Sequence, residues 1–135
     1  MIYHEKISAL TEANECFRKV LHTGPESQLV VMSIAPQGDV GEEVHAHTEQ
    51  TLFFLSGTGK ALIENEESSI EPGDVYVITA GTKHNFINTG AVPLKLYTVY
   101  APAHHIDGRI HATKADADAD IEDEAFGEQP QHKSS

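Results

Sequence analysis

The stretch that decides the fold spans residues 41–59 and reads GEEVHAHTEQTLFFLSGTG. His45 and His47 stand two positions apart in it. Alternate residues of a β-strand point to the same face of the sheet, so on a strand the two imidazoles would lie side by side, close enough to share one ion. The chain contains nine histidines, so this pair alone is weak evidence for a metal site, and the rest of the sequence has to support it.

Short apolar runs separated by turn signals fill most of the remaining chain. Turn residues such as Gly, Pro and Asn recur every ~8–12 residues, and no helical period is sustained between them. This pattern predicts an all-β protein, a two-sheet antiparallel jelly roll that protects its sheet edges. The predicted strands are residues 17–23, 28–34, 43–47, 51–56, 60–64, 68–71, 75–79, 84–88 and 94–100.

A second stretch, residues 73–88, reads GDVYVITAGTKHNFIN. Together with residues 41–59 it resembles the two motifs of the cupin superfamily. The first cupin motif has a glycine, a His-x-His pair, an acid and a glycine after one strand. The second has the spacing of Gly73, Gly81, His84 and Asn88, although Thr79 replaces the usual proline. The resemblance implies a double-stranded β-helix barrel in which His45, His47 and His84 face inward and bind one divalent metal.

The fourth ligand of the implied metal is open. Counting back six residues from Gly57 gives Gln50, whereas counting forward from His47 by the usual spacing gives Thr51. We favour Gln50, because strand parity places it on one face with Leu52 and Phe54. Its side-chain oxygen is a weak, uncharged ligand, and its alternative role is a hydrogen bond to a metal-bound water. Glu49 is the fallback.

A site made of three imidazoles and one amide leaves the ion its full charge, which makes a stronger Lewis acid. Imidazole-rich sites favour transition metals over magnesium and calcium. The predicted cofactor is therefore a divalent transition metal, namely zinc, iron, nickel or manganese, whose identity the sequence does not determine.

Glu43 is the candidate catalytic residue. It lies two positions before His45 and would act as a general base if burial raised its pKa; its alternative is a solvated acid at the barrel mouth. His104, His105, Asp107 and His111 follow the last predicted strand. They either cap the barrel mouth or lie on the surface of a C-terminal arm, and we favour the surface. An apolar pocket wall is expected from Leu52, Phe54, Ile78 and Phe86.

Three segments organise the chain: a lead-in with the first strand at residues 1–27, the barrel at 28–112 and an acidic tail at 113–135. The formal net charge is -12, and residues 115–135 contain seven acids and one lysine. Alternating small and acidic residues predict a flexible, solvated tail. So acidic a chain is a poor partner for nucleic acid or for a membrane surface. The lone cysteine, Cys16, and the lack of a signal-peptide pattern favour a cytoplasmic protein.

The whole sequence also resembles the small mannose-6-phosphate-isomerase-like cupins, on residues 43–50, 84–90 and 93–100. That resemblance implies a homodimer and a small-molecule ligand. We expect a metal-dependent enzyme of isomerase or oxygenase type. Phosphosugar isomerisation is not expected, since the motifs contain no cluster of basic residues. The alternatives are a non-catalytic metal- or ligand-binding sensor module, and a structural barrel with an incidental metal.

Overall fold

The computed structural model describes residues 2–130, which form two antiparallel β-sheets and three short helices. The helices are α1 (Ile7–Ala13), α2 (Lys114–Ala119) and α3 (Ile121–Glu128). The strands are β1 (Arg18–Thr23), β2 (Gln28–Ile34), β3 (Glu49–Ser56), β4 (Gly59–Ile63), β5 (Glu66–Ile70), β6 (Val75–Ile78), β7 (His84–Asn88), β8 (Leu94–Ala101) and β9 (Ile110–His111).

The larger sheet has the strand order β6-β3-β8-β2-β1-β9, and the smaller has the order β5-β4-β7. Non-sequential neighbours such as β3 and β8 show that the chain crosses between the sheets repeatedly. This architecture confirms the predicted double-stranded β-helix.

Alternating burial along the strands creates the core. In β8 every second residue is buried, beginning with Leu94 and ending with Tyr100. β3 alternates in the same way, and Phe54 meets Phe86 of the opposite sheet with ring centroids 5.5 Å apart. Burying each such aromatic side chain contributes about 1.5–3 kcal/mol. The core is thus the space between the two sheets.

Asn88, the last residue of the second motif, is structural. Its side chain is fully buried and donates to the carbonyls of Ile34 (2.9 Å) and Val92 (2.8 Å), while its oxygen accepts from the Gly90 amide. These three bonds shape the turn after β7. Nearby, Gly57 has a φ of +89°, and a Cβ there would lie 2.6 Å from the Pro93 carbonyl, so only glycine fits.

Three predictions of local structure are wrong. Residues 43–47 are not a strand; only an isolated bridge joins Glu43 to His84. The short strand β9 was not foreseen. The segment expected to be a flexible tail is helical over α2 and α3, and Asp123 within it is 4% exposed. Side-chain caps explain the helices, because Thr113 and Asp116 form a capping box and Asp120 caps α3.

The end of the predicted tail, residues 131–135, lies outside the described residues. The division of the chain at residues 27 and 112 stays a prediction. None of the helices within residues 2–130 has the length and apolar character needed to cross a membrane.

Candidate metal centre

Backbone hydrogen bonds bring the two sequence motifs together at one end of the barrel. Glu43 and His84 exchange two of them: the Glu43 amide donates to the His84 carbonyl (2.8 Å), and the His84 amide donates to the Glu43 carbonyl (2.9 Å). The Gly81 amide donates to the His45 carbonyl (2.8 Å). Residues 43–45 are therefore held beside the turn that leads into β7.

Three side chains converge there. One ligand atom from each of Glu43, His45 and His84 lies within 4.8 Å of the other two. His45 Nε2 is 3.2 Å from Glu43 Oε2. The two imidazoles are 6% and 2% exposed, and the carboxylate is half-buried. This arrangement could hold one metal ion between two nitrogens and one oxygen.

Both histidines are neutral, as metal ligands must be. Burial lowers the pKa of His84. Burial, followed by the charges of His104 and His84, lowers the pKa of His45 to about 2. His84 Nδ1 lies 2.8 Å from the Thr82 carbonyl, which can only accept, so Nδ1 carries the proton and Nε2 keeps its lone pair. A backbone carbonyl that orients the ring in this way is typical of metal-binding histidines.

Glu43 is the acid of the cluster. Burial raises the pKa of its carboxyl group, against the smaller lowering effect of Arg18 and Lys114. From the sequence, Glu43 was a candidate general base, with a solvated acid as the alternative, and the only carboxylate considered as a ligand was the fallback Glu49. The structure brings Glu43 to within ligand distance of both imidazoles, so it is available for either role.

Gln50 points toward the same cluster. It is 4% exposed, its Nε2 donates to Thr98 Oγ1 (3.1 Å), and its side chain hydrogen-bonds to that of His45. The predicted orientation of β3 is confirmed: Gln50, Leu52 and Phe54 share the buried face of the strand, and Glu49 is exposed. Whether Gln50 ligates or only orients His45 stays a prediction.

His47 does not join the cluster. Its side chain is exposed, and residues 46 and 47 form a bend. The predicted i, i+2 arrangement requires a strand, and the chain is not extended here, so His45 and His47 do not share a face.

Unlike His84, the other two members of the cluster, Glu43 and His45, line a cavity of about 510 Å³ between the barrel mouth and the C-terminal helices. Its walls come from residues 40–46, from Phe17 and Arg18, from His104 and His105, and from one face of α2 and α3. The expected apolar wall is wrong: Leu52, Phe54, Ile78 and Phe86 are packed in the core and do not line this cavity. The cavity wall is mixed, with charged residues such as Arg18 and Asp123 beside apolar ones such as Phe17 and Val40.

A cupin-domain family model matches residues 30–100, more than half of the chain. The chain belongs to the cupin family.

Similar proteins are found in distant organisms. The chain is 40% identical over 117 residues to the uncharacterized protein YrkC of Bacillus subtilis (strain 168), covering 82% of this chain and 63% of that protein. It therefore spans less than two thirds of this relative's length. It is 37% identical over 113 residues to the uncharacterized protein L612 of Acanthamoeba polyphaga mimivirus, covering 81% of this chain and 71% of that protein.

Among solved structures, the crystal structure of BH2720 from Bacillus halodurans is similar with a TM-score of 0.86 and 38% identity. The likeness covers 88% of this chain and 95% of that one. The similarity to this solved structure and the match to the cupin family model therefore indicate the same fold.

Sequence reasoning placed the histidines after the last strand on the surface, and this is wrong. The His104 ring lies 4.1 Å from that of His45 and stacks on Tyr100 at 5.4 Å, centroid to centroid. His105 and His111 are buried. The signal in the sequence was the adjacent pair His104-His105, which is separated from the end of β8 by two residues.

Hydrogen bonds and close packing hold helix α3 against these histidines. Asp123 accepts hydrogen bonds from His105 Nδ1 and from the Ile106 amide, both at 2.7 Å. Asp120 lies 2.8 Å from His111 Nε2 and 3.0 Å from Arg109 Nε. Gly127 rests directly against His104, since a Cβ there would lie 2.8 Å from the His104 carbonyl oxygen.

His111, Asp120 and Asp123 also lie within 4.8 Å of one another. Both carboxylates already have partners, since Asp120 pairs with Arg109 and Asp123 accepts from His105 and the Ile106 amide, which makes this group a poor second cation site. We interpret His111, Asp120 and Asp123 as structural contacts that hold the C-terminal helices against the barrel.

The hydrogen bonds accepted by the Asp123 carboxylate predict a pH-dependent contribution to the free energy of unfolding. Burial raises the pKa of Asp123, but the hydrogen bond from His105, the charge of that ring once it is protonated, the Ile106 amide and the Arg18 charge outweigh burial and bring the pKa to about 2. Burial lowers the pKa of His105 itself to about 4, so above that pH the hydrogen bonds and Arg18 account for the stabilisation. The ordinary value for an aspartate is ~3.9, so the stabilisation is present above about pH 4 and is lost as the pH falls toward 2. Asp123→Asn should lower the free energy of unfolding by about 2 kcal/mol at pH 7, measured by urea denaturation.

The matched control is Asp118→Asn, which removes an exposed ion pair with Lys114 and should cost less than about 0.5 kcal/mol. The deficit of Asp123→Asn should shrink between about pH 4 and pH 2. A deficit that is the same at every pH, or equal for both variants, would contradict this account.

Proposed function

We propose that this cupin is a metal-dependent enzyme, of isomerase or oxygenase type, that acts on a small organic molecule. The observation that carries the proposal is the convergence of Glu43, His45 and His84 within 4.8 Å, with Glu43 and His45 of this cluster lining a cavity of about 510 Å³. A buried ligand cluster beside open space is typical of a catalytic metal, whereas a structural metal is enclosed by its ligands.

The donor set fits a divalent transition metal. Two neutral imidazoles and one carboxylate form a combination common in non-haem iron and zinc sites, and nickel or manganese are also compatible. Gln50 is the proposed fourth contact, and His47 is left out because it is exposed. When bound, the metal would supply Lewis-acid or oxygen chemistry. The carboxylate ligand lowers the net charge of the site relative to the all-neutral set expected from the sequence.

The protein residues around the cluster have separate tasks in this proposal. Thr82 and Gln50 orient the two imidazoles, and the C-terminal helices limit the access of bulk water to the cavity. Glu43 holds the metal or accepts a proton from the substrate, and its raised pKa supports the second role. His104, in ring contact with His45, would pack against a bound molecule.

The finer assignment to the mannose-6-phosphate-isomerase-like group is also a proposal, supported by the stretches at residues 43–50, 84–90 and 93–100. Phosphosugar isomerisation is not part of it. Among the described residues that line the cavity, only Arg18 and Lys114 are basic, and Lys114 pairs with Asp118. We propose the cytoplasm as the location, supported by the single cysteine; recovery in a secreted fraction would argue against it.

The metal proposal predicts different outcomes for two histidines. His84→Ala removes a ligand, so the affinity for Zn²⁺ should fall at least about tenfold. His47→Ala should leave the affinity unchanged, because that ring is exposed. The measurement is a competition titration of metal-free protein against a chelator, with circular dichroism to confirm that both variants keep the β-sheet signal. Equal affinity in wild type and His84→Ala would remove His84 from the site.

We also propose a homodimer formed through the edge of the larger sheet. The edge strand β6 exposes two valines, Val75 (53%) and Val77 (57%), and an apolar sheet edge favours pairing with a second copy. Val77→Lys should shift the mass measured by light scattering from dimer to monomer. A monomer mass for the wild-type chain at every concentration would contradict the proposal.

A further inference from the structure

Arg18 is a buried cation in the wall of the cavity. It begins β1, where its backbone pairs with Met32 and His111, and it is 7% exposed. Its side chain hydrogen-bonds to Tyr100, and its guanidinium carbon lies 5.1 Å from the centroid of the Phe17 ring. Its Nε is buried without a hydrogen-bond partner.

Within residues 2–130, no carboxylate lies within ion-pair distance of Arg18. The acids around the cavity are engaged elsewhere or face solvent. Asp123 is bound by His105 and Ile106, Asp118 pairs with Lys114, and Glu42 lies 3.9 Å from Lys83. Glu43 belongs to the metal cluster, and Glu124 and Glu128 are exposed.

An unpaired guanidinium in such a position is costly. Arginine cannot lose its proton in a protein, so it cannot avoid the penalty of burial by becoming neutral. A buried charge is ordinarily paired, and the penalty for leaving it unpaired is large. Glu43 and Asp123 are near enough for the Arg18 charge to lower their pKa values, but neither carboxylate lies within ion-pair distance. An anion that enters the cavity would supply the direct pairing that the described chain does not.

We propose that Arg18 anchors a carboxylate group of the molecule that enters this cavity. The inference rests on the proposed function, because it names the substrate class of the same site: small carboxylic acids. The free Nε–H and one N–H of the adjacent terminal nitrogen can donate two parallel hydrogen bonds to the two oxygens of one carboxylate. A phosphate ordinarily recruits more than one basic group, and Lys114, the other base of the described cavity wall, is already paired.

The cavity relates this anchor to the metal cluster. Arg18, Glu43 and His45 all line it, and Arg18 is close enough to influence the charge states of both other residues. An acid of a few carbons, held by its carboxylate on Arg18, would extend its remaining atoms along the wall that carries Glu43 and His45. Arg18 is then a binding residue that determines specificity.

The test is calorimetric titration of metal-free protein with pyruvate and malonate, each against its uncharged amide. Wild type should bind at least one of the acids and neither amide. Arg18→Met, which keeps most of the side-chain length, should weaken acid binding at least about tenfold. Arg18→Lys, which keeps the charge but loses the fork, should bind with intermediate affinity. Equal binding by Arg18→Met, or no binding of either acid to wild type at about 20 mM, would overturn the proposal.

Two further measurements separate this inference from the metal proposal. Metal-free His84→Ala should still bind the acid, and Arg18→Met should still bind Zn²⁺, so each can fail without the other. If Arg18→Met does not fold, the Nε–H resonance of Arg18 in wild type replaces it. That resonance should shift when the acid is added and stay in place with the amide; a resonance that does not respond to the acid contradicts the inference.

Discussion

The backbone pairing of Glu43 with His84 is the constraint on which the site depends. Two hydrogen bonds of 2.8 and 2.9 Å join segments that lie far apart in the chain, and a third joins Gly81 to His45. No part of this pairing uses a side chain. The imidazoles and the carboxylate are therefore free to face one another, and their positions are set by the rigid barrel.

Burial then determines the chemistry of the cluster. Removing His45 and His84 from water keeps both rings neutral at physiological pH, which prepares them to bind a metal. The same burial raises the pKa of Glu43 and encloses Arg18, which has no carboxylate within ion-pair distance among the described residues. The C-terminal helices contribute to this environment, since Asp123 and Gly127 hold them against His105 and His104. Helices α2 and α3 are thus part of the cavity wall.

The fold could be predicted because the alternation of buried and exposed residues is a local pattern that recurs in several strands. Period-2 alternation in β3 and β8 reports which residues face the core, and it also placed Gln50 on the inner face. His84 was reached through the motif spacing, and its side chain is indeed buried beside His45. The resemblance implied the convergence of these two histidines, which no local pattern could have shown.

The wrong predictions have one physical cause: the structure of each of these segments depends on contacts with residues that are distant in the sequence. His47 was placed by assuming a strand, but residues 43–47 form only one bridge. The helices of the acidic segment depend on Asp120 and Asp123 meeting His111 and His105, and no local pattern encodes those meetings. Arg18 fell within the predicted strand at residues 17–23 and was given no role, because only the folded structure shows that it is buried in a cavity wall without an ion pair.

A crystal of the zinc-loaded chain, with anomalous diffraction recorded at the zinc edge, tests the central claim most directly. We expect one strong peak at about 2.0–2.1 Å from a ring nitrogen of His45 and of His84, with a Glu43 oxygen at a similar distance. A peak on the group formed by His111, Asp120 and Asp123, or no ordered zinc near residues 45 and 84, would contradict it.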